Sequence, residues 1–304
     1  MASGPPPIDD RPPWPLARRA VALASVGALG IWTGFTVFGA TVTRPARSDV
    51  GAPPPALGAD AIRFESGSGA TLAAWAAEGR PGGGAVVLLH GIRSSREVLR
   101  GRALLFHDAG YAVLAADLQA HGESTGDRIT LGDRERFDAV AAVAEARRRF
   151  PGERVAVVGL SLGGAAALLA GDALDADVLV LEAVYPDIHA ATRNRLRKWL
   201  GPLGPPLLPL LLRAMPSQIG IHPDDLRPVD AIRTLDAPVL VVAGTEDRLT
   251  LPEDSWRLYQ AARAPKSLWW VEGGVHEDYH ALAPDDYRTR VLGFLEQHLR
   301  RAGP

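Results

Sequence analysis

Cysteine is absent from this 304-residue chain, and that absence removes several chemistries at once. Disulfide scaffolds, iron–sulfur clusters, thiolate zinc sites and a cysteine nucleophile are all excluded. Charge of one sign is scarce too. Thirty-three basic residues stand against 35 acidic ones, a net charge of −2, so there is no strong field to attract nucleic acid. Glycine (32) and proline (25) together fall short of the roughly 25–30% that marks low-complexity disorder. Ordinary globular usage is what remains, with 47% hydrophobic and 22% charged residues. The prolines, however, are unevenly spread: ten lie before residue 56 and eight between Pro186 and Pro228.

Between the proline-rich first 19 residues and the domain lies a run without charge, AVALASVGALGIWTGFTVFGATVT, residues 20–43. As a helix rising 1.5 Å per residue it would extend about 36 Å, enough for a hydrocarbon core of roughly 30 Å. The sequence therefore predicts a single-pass membrane anchor; a cleavable signal peptide and a soluble helix are the alternatives. Arg18 and Arg19 on one side and Arg44 and Arg47 on the other leave the positive-inside rule almost silent. A short tail before a large domain leans toward an extracytoplasmic catalytic domain. Gly30 and Gly34 form a GxxxG pair through which two helices could approach as a homodimer. Residues 44–59 (RPARSDVGAPPPALGA) read as an extended linker.

From residue 60 to 304 the pattern is that of a single α/β domain. Val86–Leu89, Ala112–Ala116, Val155–Val158, Val178–Leu181 and Val239–Ala243 are continuous apolar runs of the kind buried on both faces of a sheet. Helical stretches separate them, such as Asp133–Phe150 with Phe137, Val140, Ala141 and Ala144 on its apolar side. The alternation implies a mostly parallel sheet covered by helices on both faces. Ligand sites in such sheets lie at the carboxyl ends of the strands.

The strongest chemical signal is VAVVGLSLGGAAALLA, residues 155–170. A strand runs into Gly159-Leu160-Ser161-Leu162-Gly163 and then into a small-residue helix. A serine on so tight a turn needs small neighbours, which the flanking glycines supply. Its hydroxyl is a poor nucleophile near neutral pH, so a base and an orienting acid are required. Downstream, APVLVVAGTEDRLTLP (237–252) ends a strand with Glu246 and Asp247, and SLWWVEGGVHEDY (267–279) ends another with His276. Asp247 is expected as the acid, with Glu246 the alternative. An oxyanion would be received by the backbone N–H of Leu162, at a helix N-terminus, and of Ile92, in the loop after Val86–Leu89. His90 and the stretch Asp117 to Ser124 are expected to shape loops rather than react. His276-Glu277-Asp278-Tyr279-His280 also matches the zinc-protease pattern HExxH. It directly follows a strand and two glycines, with Pro284 close behind and no third ligand evident, so a surface His280 is the expectation. No metal and no organic cofactor are implied.

In order, His90-Gly91, Asp117 with His121-Gly122-x-Ser124, Gly159-x-Ser161-x-Gly163, Gly244-x-x-Asp247 and His276 resemble the motifs of the α/β-hydrolase superfamily over residues 60–300. Among its groups the chain is most similar to the monoacylglycerol-lipase-like and serine-aminopeptidase-like enzymes, which include membrane-anchored serine hydrolases. The resemblance implies the α/β-hydrolase fold, with Ser161 as nucleophile, His276 as proton shuttle and Asp247 holding the imidazolium. Gln119 departs from it, because the family often carries arginine there. A serine at 161 also separates the chain from the dehalogenase and epoxide-hydrolase branches. The second proline cluster falls where family members insert a cap, here about residues 185–236. WLGPLGPPLLPLLLRAM (199–215) is apolar and interrupted by prolines, which predicts a short lid rather than a long helix.

The expected activity is hydrolysis of a carboxylic ester with a lipid-like or small acyl substrate. A peptidase or amidase on the same triad and a non-catalytic binding module on a hydrolase fold are the alternatives.

Overall fold

The computed structural model describes residues 14–276 and 278–299. The tail before Trp14 and residue Glu277 of the HExxH stretch lie outside the described residues. Strands are β1 Ala46–Arg47, β2 Asp60–Glu65, β3 Thr71–Ala77, β4 Ala85–Leu89, β5 Ala112–Ala116, β6 His121–Gly122, β7 Val155–Leu160, β8 Val178–Glu182, β9 Val239–Gly244 and β10 Lys266–Val271. The longer helices are α1 Trp14–Thr43, α2 Arg100–Asp108, α3 Glu135–Arg149, α4 Leu162–Leu169, α5 Ile188–Leu200 and α6 Leu208–Ile219. After them come the ten-residue α8 Pro252–Ala261 and the shorter α7 Pro228–Ala231, α9 Tyr279–Leu282, α10 Pro284–Tyr287 and α11 Gly293–His298.

Eight strands form one sheet in the order β10-β9-β8-β7-β4-β5-β3-β2. The pairings from β10 to β5 are parallel, and β3 alone is reversed, antiparallel to both β5 and the edge strand β2. The five apolar runs expected as buried strands are β4, β5, β7, β8 and β9. Their side chains alternate between two cores. Ala85, Val87 and Leu89 join the α3 and α4 side, while Val86 and Leu88 join Phe106 of α2 and Leu295 of α11 on the other. This is the α/β-hydrolase fold. Its order reverses between β4 and β7: the chain leaves β4 toward β5 and leaves β7 toward β8. A crevice therefore opens at the carboxyl ends of these two strands.

The inward face of α3 differs from the sequence expectation. Ala139, Ala142, Val143 and Ala146 are buried, whereas Phe137 is 40% exposed and Ala144 is exposed. Two acids turn the helix. The Asp138 carboxylate accepts from Ser66 Oγ, Ser68 Oγ and the Gln119 N–H, and Glu135 accepts from Thr130 and Gly132. Burial pushes the Asp138 carboxyl up to about 6, against the pull of its serine donors.

The α1 helix is continuous to Thr43. Among the described residues no helix is long and apolar enough to cross a membrane, so the expected span over 20–43 gains no support here. At Gly30 and Gly34 an added Cβ would meet nothing within 4 Å. Residues 44–59, expected as a linker, lie packed along the domain. β1 pairs with β6, Trp75 Nε1 donates to the Gly51 carbonyl, and Leu57 is completely buried.

Between β8 and β9 the cap comprises α5, two short helical turns, α6, a third short turn at Pro223–Asp225, and α7. Its prolines act as expected up to Leu207, where the chain makes only single turns. α6 nevertheless runs twelve residues. Pro209 sits in its first turn, where the N–H has no intrahelical partner anyway, and Pro216 falls within its last two turns.

Candidate active site

The strand-to-helix turn at Ser161 follows from close backbone packing. Ser161 has φ 50° and ψ −107°, a strained conformation for a residue with a side chain. Its N–H donates to the Glu182 carbonyl at 2.8 Å, which fastens the turn to β8. A Cβ on Gly159 would lie 2.4 Å from Gly164 Cα, and one on Gly163 would lie 2.4 Å from the Leu89 carbonyl oxygen. Only glycine fits at either place, so the spacing around Ser161 is a packing requirement.

Ser161, Asp247 and His276 come from three strand ends and meet. His276 Nδ1 is 2.7 Å from Asp247 Oδ2, and its Nε2 is 3.2 Å from Ser161 Oγ. With the Nδ1–H donated to the carboxylate, Nε2 is left free to accept the serine proton. Asp247 is buried and its other oxygen accepts from the N–H groups of Leu249 and Thr250. Glu246 is exposed, with its backbone bonded to Gly274. Side-chain burial thus separates two adjacent acids that sequence order left open.

Ile92 and Leu162 line the same cleft as Ser161. Leu162 is the first residue of α4, where an N–H has no intrahelical acceptor. The Gly91 backbone packs against the serine: a Cβ there would lie 3.7 Å from Ser161 Cβ. Two buried histidines shape this loop. His90 Nδ1–H donates to the Gly91 carbonyl while Nε2 accepts from Leu118 N–H. His121 Nε2 accepts from Arg93 N–H. Burial, with His121 and Arg96 nearby, pulls His90 down to about 3, so its ring is neutral. Asp117 accepts from the Arg96 backbone and guanidinium and from Glu123 N–H. Gln119, in the place where the family often carries arginine, donates to the Arg128 carbonyl and to Glu135.

The HExxH stretch does not form one helix. His276 lies in a bend, and α9 begins at Tyr279, so the two histidines do not share a helical face. His276 is engaged by Asp247. His280 is half-buried rather than a solvated surface residue, edge-on to the Tyr287 ring at 5.2 Å. Among the described residues no cluster of histidines and acids could hold a metal ion.

Two features escaped sequence reasoning. One is a buried network behind the His276 loop. Arg102 pairs with Glu182 at 2.6 Å and reaches Asp278 at 2.7 Å, while Tyr287 donates to Glu182. Tyr279 OH accepts from Gly244 N–H at 3.0 Å. These bonds tie the loop carrying His276 to β8 and β9. The other is the wall of the cleft. Gly39, Val42 and Thr43 from the last turn of α1 face Ile188, Leu211 and Met215 of the cap across about 80 Å³ of internal free volume. Arg93, next to Ile92, donates to the Thr41 and Arg44 carbonyls and holds the end of α1 against the site. No local signal in residues 20–43 announces this role.

Fold, motif order and site geometry define one class. The chain has the α/β-hydrolase fold and, over just under half of its length, resembles a family of hydrolases. The family described as serine aminopeptidase, S33, matches residues 81–225. The protein YqkD of Bacillus subtilis is 26% identical over 217 residues, covering 69% of this chain and 70% of its own length. Human ABHD12B is 28% identical over 208 residues, and the match spans 66% of this chain but only 56% of ABHD12B. Among solved structures, the Pyrococcus furiosus esterase Pf2001 superposes with a TM-score of 0.71 at 22% identity, over 85% of this chain and 98% of its own. The esterase RhEst1 of a Rhodococcus species gives 0.56 at 19%, over 78% and 99%. At such identities these two likenesses speak for the fold.

Proposed function

We propose that the chain is a serine hydrolase that cleaves carboxylic esters of an acyl chain through a covalent acyl-enzyme. The observation that carries this reading is the Ser161–His276–Asp247 relay opening on a largely apolar cleft. Ser161 Oγ attacks the ester carbonyl as His276 Nε2 takes its proton. Asp247 holds the ring in the needed tautomer and stabilises the imidazolium. The N–H groups of Leu162 and Ile92 receive the oxyanion. His276 then protonates the departing alcohol, and water repeats the sequence on the acyl-enzyme.

Peptidase chemistry on the same triad is the second reading, favoured by the serine-aminopeptidase description of residues 81–225. Against it, no carboxylate lines the cleft among the described residues, and a free peptide amine needs one nearby. Kinetics on an acyl-chain-length series of esters, set beside aminoacyl amides, separates the two. Rapid amide cleavage with negligible ester turnover overturns the ester reading. Attachment to a membrane through residues 20–43, with the domain extracytoplasmic, is proposed from the charge-free run. The exposed apolar residues Trp199, Leu200 and Leu203 on the cap are compatible with it. A homodimer through Gly30 and Gly34 is a proposal of the same kind.

A further inference from the structure

The cleft contains one cation whose presence the triad does not explain. Arg195 lies on α5 and lines the same cavity as Ser161, where it is the single charged residue among the described lining residues. Its neighbours there are apolar or hydroxyl-bearing: Leu131, Tyr185, Ile188, Thr192, Leu196 and Met215. The two fully buried arginines among the described residues are both matched by acids, Arg96 by Asp117 and Glu123, Arg102 by Glu182 and Asp278. No carboxylate among the described residues forms an ion pair with Arg195. Among the described residues its guanidinium donates one hydrogen bond, to the Ala191 carbonyl of its own helix at 3.0 Å. Five donors in a fixed fork therefore have one protein acceptor.

A guanidinium partly withdrawn from water, with no carboxylate among the described residues in ion-pair contact, is costly. Burial lowers its pKa, with Tyr185 and Asp247 pulling the other way; Arg195 nevertheless stays charged at any pH where the triad works. An apolar side chain of similar length would pack this wall at no electrostatic cost. What Arg195 adds is a fork that fits carboxylate or phosphate oxygens.

Building on the ester-hydrolase reading, we propose that Arg195 selects substrates carrying a carboxylate or phosphate group, which it receives in the same cleft as the ester carbonyl. The anionic group could lie on the acyl chain or on the alcohol, and the same chemistry recognises both.

Two substrate pairs distinguish these sources. One sets the para-nitrophenyl hemi-ester of suberic acid against its methyl-capped neutral diester. The other sets octanoyl glycerol phosphate against octanoyl glycerol. The wild-type enzyme is expected to favour the anionic member of at least one pair by about 10- to 100-fold in kcat/KM, the usual reach of a charge-assisted hydrogen bond. Added salt should shrink that preference. In Arg195→Gln the ratio should fall toward unity, and Arg195→Lys should keep part of it. Parity in both pairs for the wild type, or a preference that persists in Arg195→Gln, overturns the proposal. Calorimetric binding of the suberate pair to Ser161→Ala protein separates the two levels of argument. Preferential anion binding without ester turnover by the wild type would sink the ester reading and keep Arg195. Ester turnover without anion preference would do the reverse.

Discussion

Gly163 stands so close to Leu89 that a Cβ on it would lie 2.4 Å from the Leu89 carbonyl oxygen. The atoms it would meet are the carbonyl and Cβ of Leu89 in a buried strand, not the end of a flexible side chain that could yield. Gly163→Ala is therefore expected to destabilise the fold by about 1–3 kcal/mol through overpacking and to displace the Ser161 turn. Urea unfolding together with ester kinetics checks it. A loss of activity with unchanged stability would show that the glycine serves only the reaction.

Ser161→Ala should abolish covalent labelling by a fluorophosphonate probe, and well-folded wild-type protein that fails to label would contradict the proposed nucleophile. Asp247→Asn leaves the shape of the carboxyl group but favours the wrong His276 tautomer. It should lower kcat by roughly 10³- to 10⁴-fold, whereas Glu246→Gln, at an exposed position, should stay within a few-fold of wild type.

Arg102 and Glu182 are both almost fully buried. Arg102→Met would strand the carboxylate beneath the His276 loop, and breaking such a pair costs about 3–5 kcal/mol. Thermal unfolding should register the loss. A melting temperature equal to that of the wild type would rule out the stabilising role of this pair.

His90 sets an acid limit. Its folded pKa, about 3, lies below the ordinary 6.5 because burial penalises the cation. Between those values the unfolded chain binds a proton that the folded chain refuses, so stability falls as pH falls from about 6.5 to about 3. The slope for one such proton is at most about 1.4 kcal/mol per pH unit. Urea midpoints measured across this window should fall more steeply for the wild type than for His90→Gln, which has no imidazole to titrate. Equal slopes would refute the assignment.

The proposed membrane attachment is tested by fractionation. Full-length protein is expected in the membrane fraction, and a chain starting at residue 38 in the soluble one. That truncation keeps Gly39, Val42 and Thr43 of the cleft wall. Full-length protein that stays soluble at low and high salt would remove the anchor from the account.

Ser161 and His276, which the fold brings within 3.2 Å of each other, stand out in the sequence because their signals are local: a strand, a glycine-framed turn, a strand-end loop. The apolar runs that became β4, β5, β7, β8 and β9 were equally plain, since strands buried on both faces need no partner to declare themselves. The inward side of α3 was not, because Glu135 and Asp138 face inward to loop donors that lie elsewhere in the chain. Helix α5 carries Arg193, Arg195, Arg197 and Lys198 within six residues, and nothing in their spacing tells which one enters the cleft.

By itself, then, the amino-acid order determined the class of fold and pointed to Ser161 and His276 as the proposed nucleophile and base. These rest on backbone sterics and strand periodicity acting over a few residues. Tertiary structure alone decided that Asp247 rather than Glu246 meets His276, that the end of α1 closes the cleft, and that Arg195 stands in its wall without a carboxylate among the described residues. Each of those depends on which distant segments share a low-dielectric space, where pairing and burial set the energy of a charge.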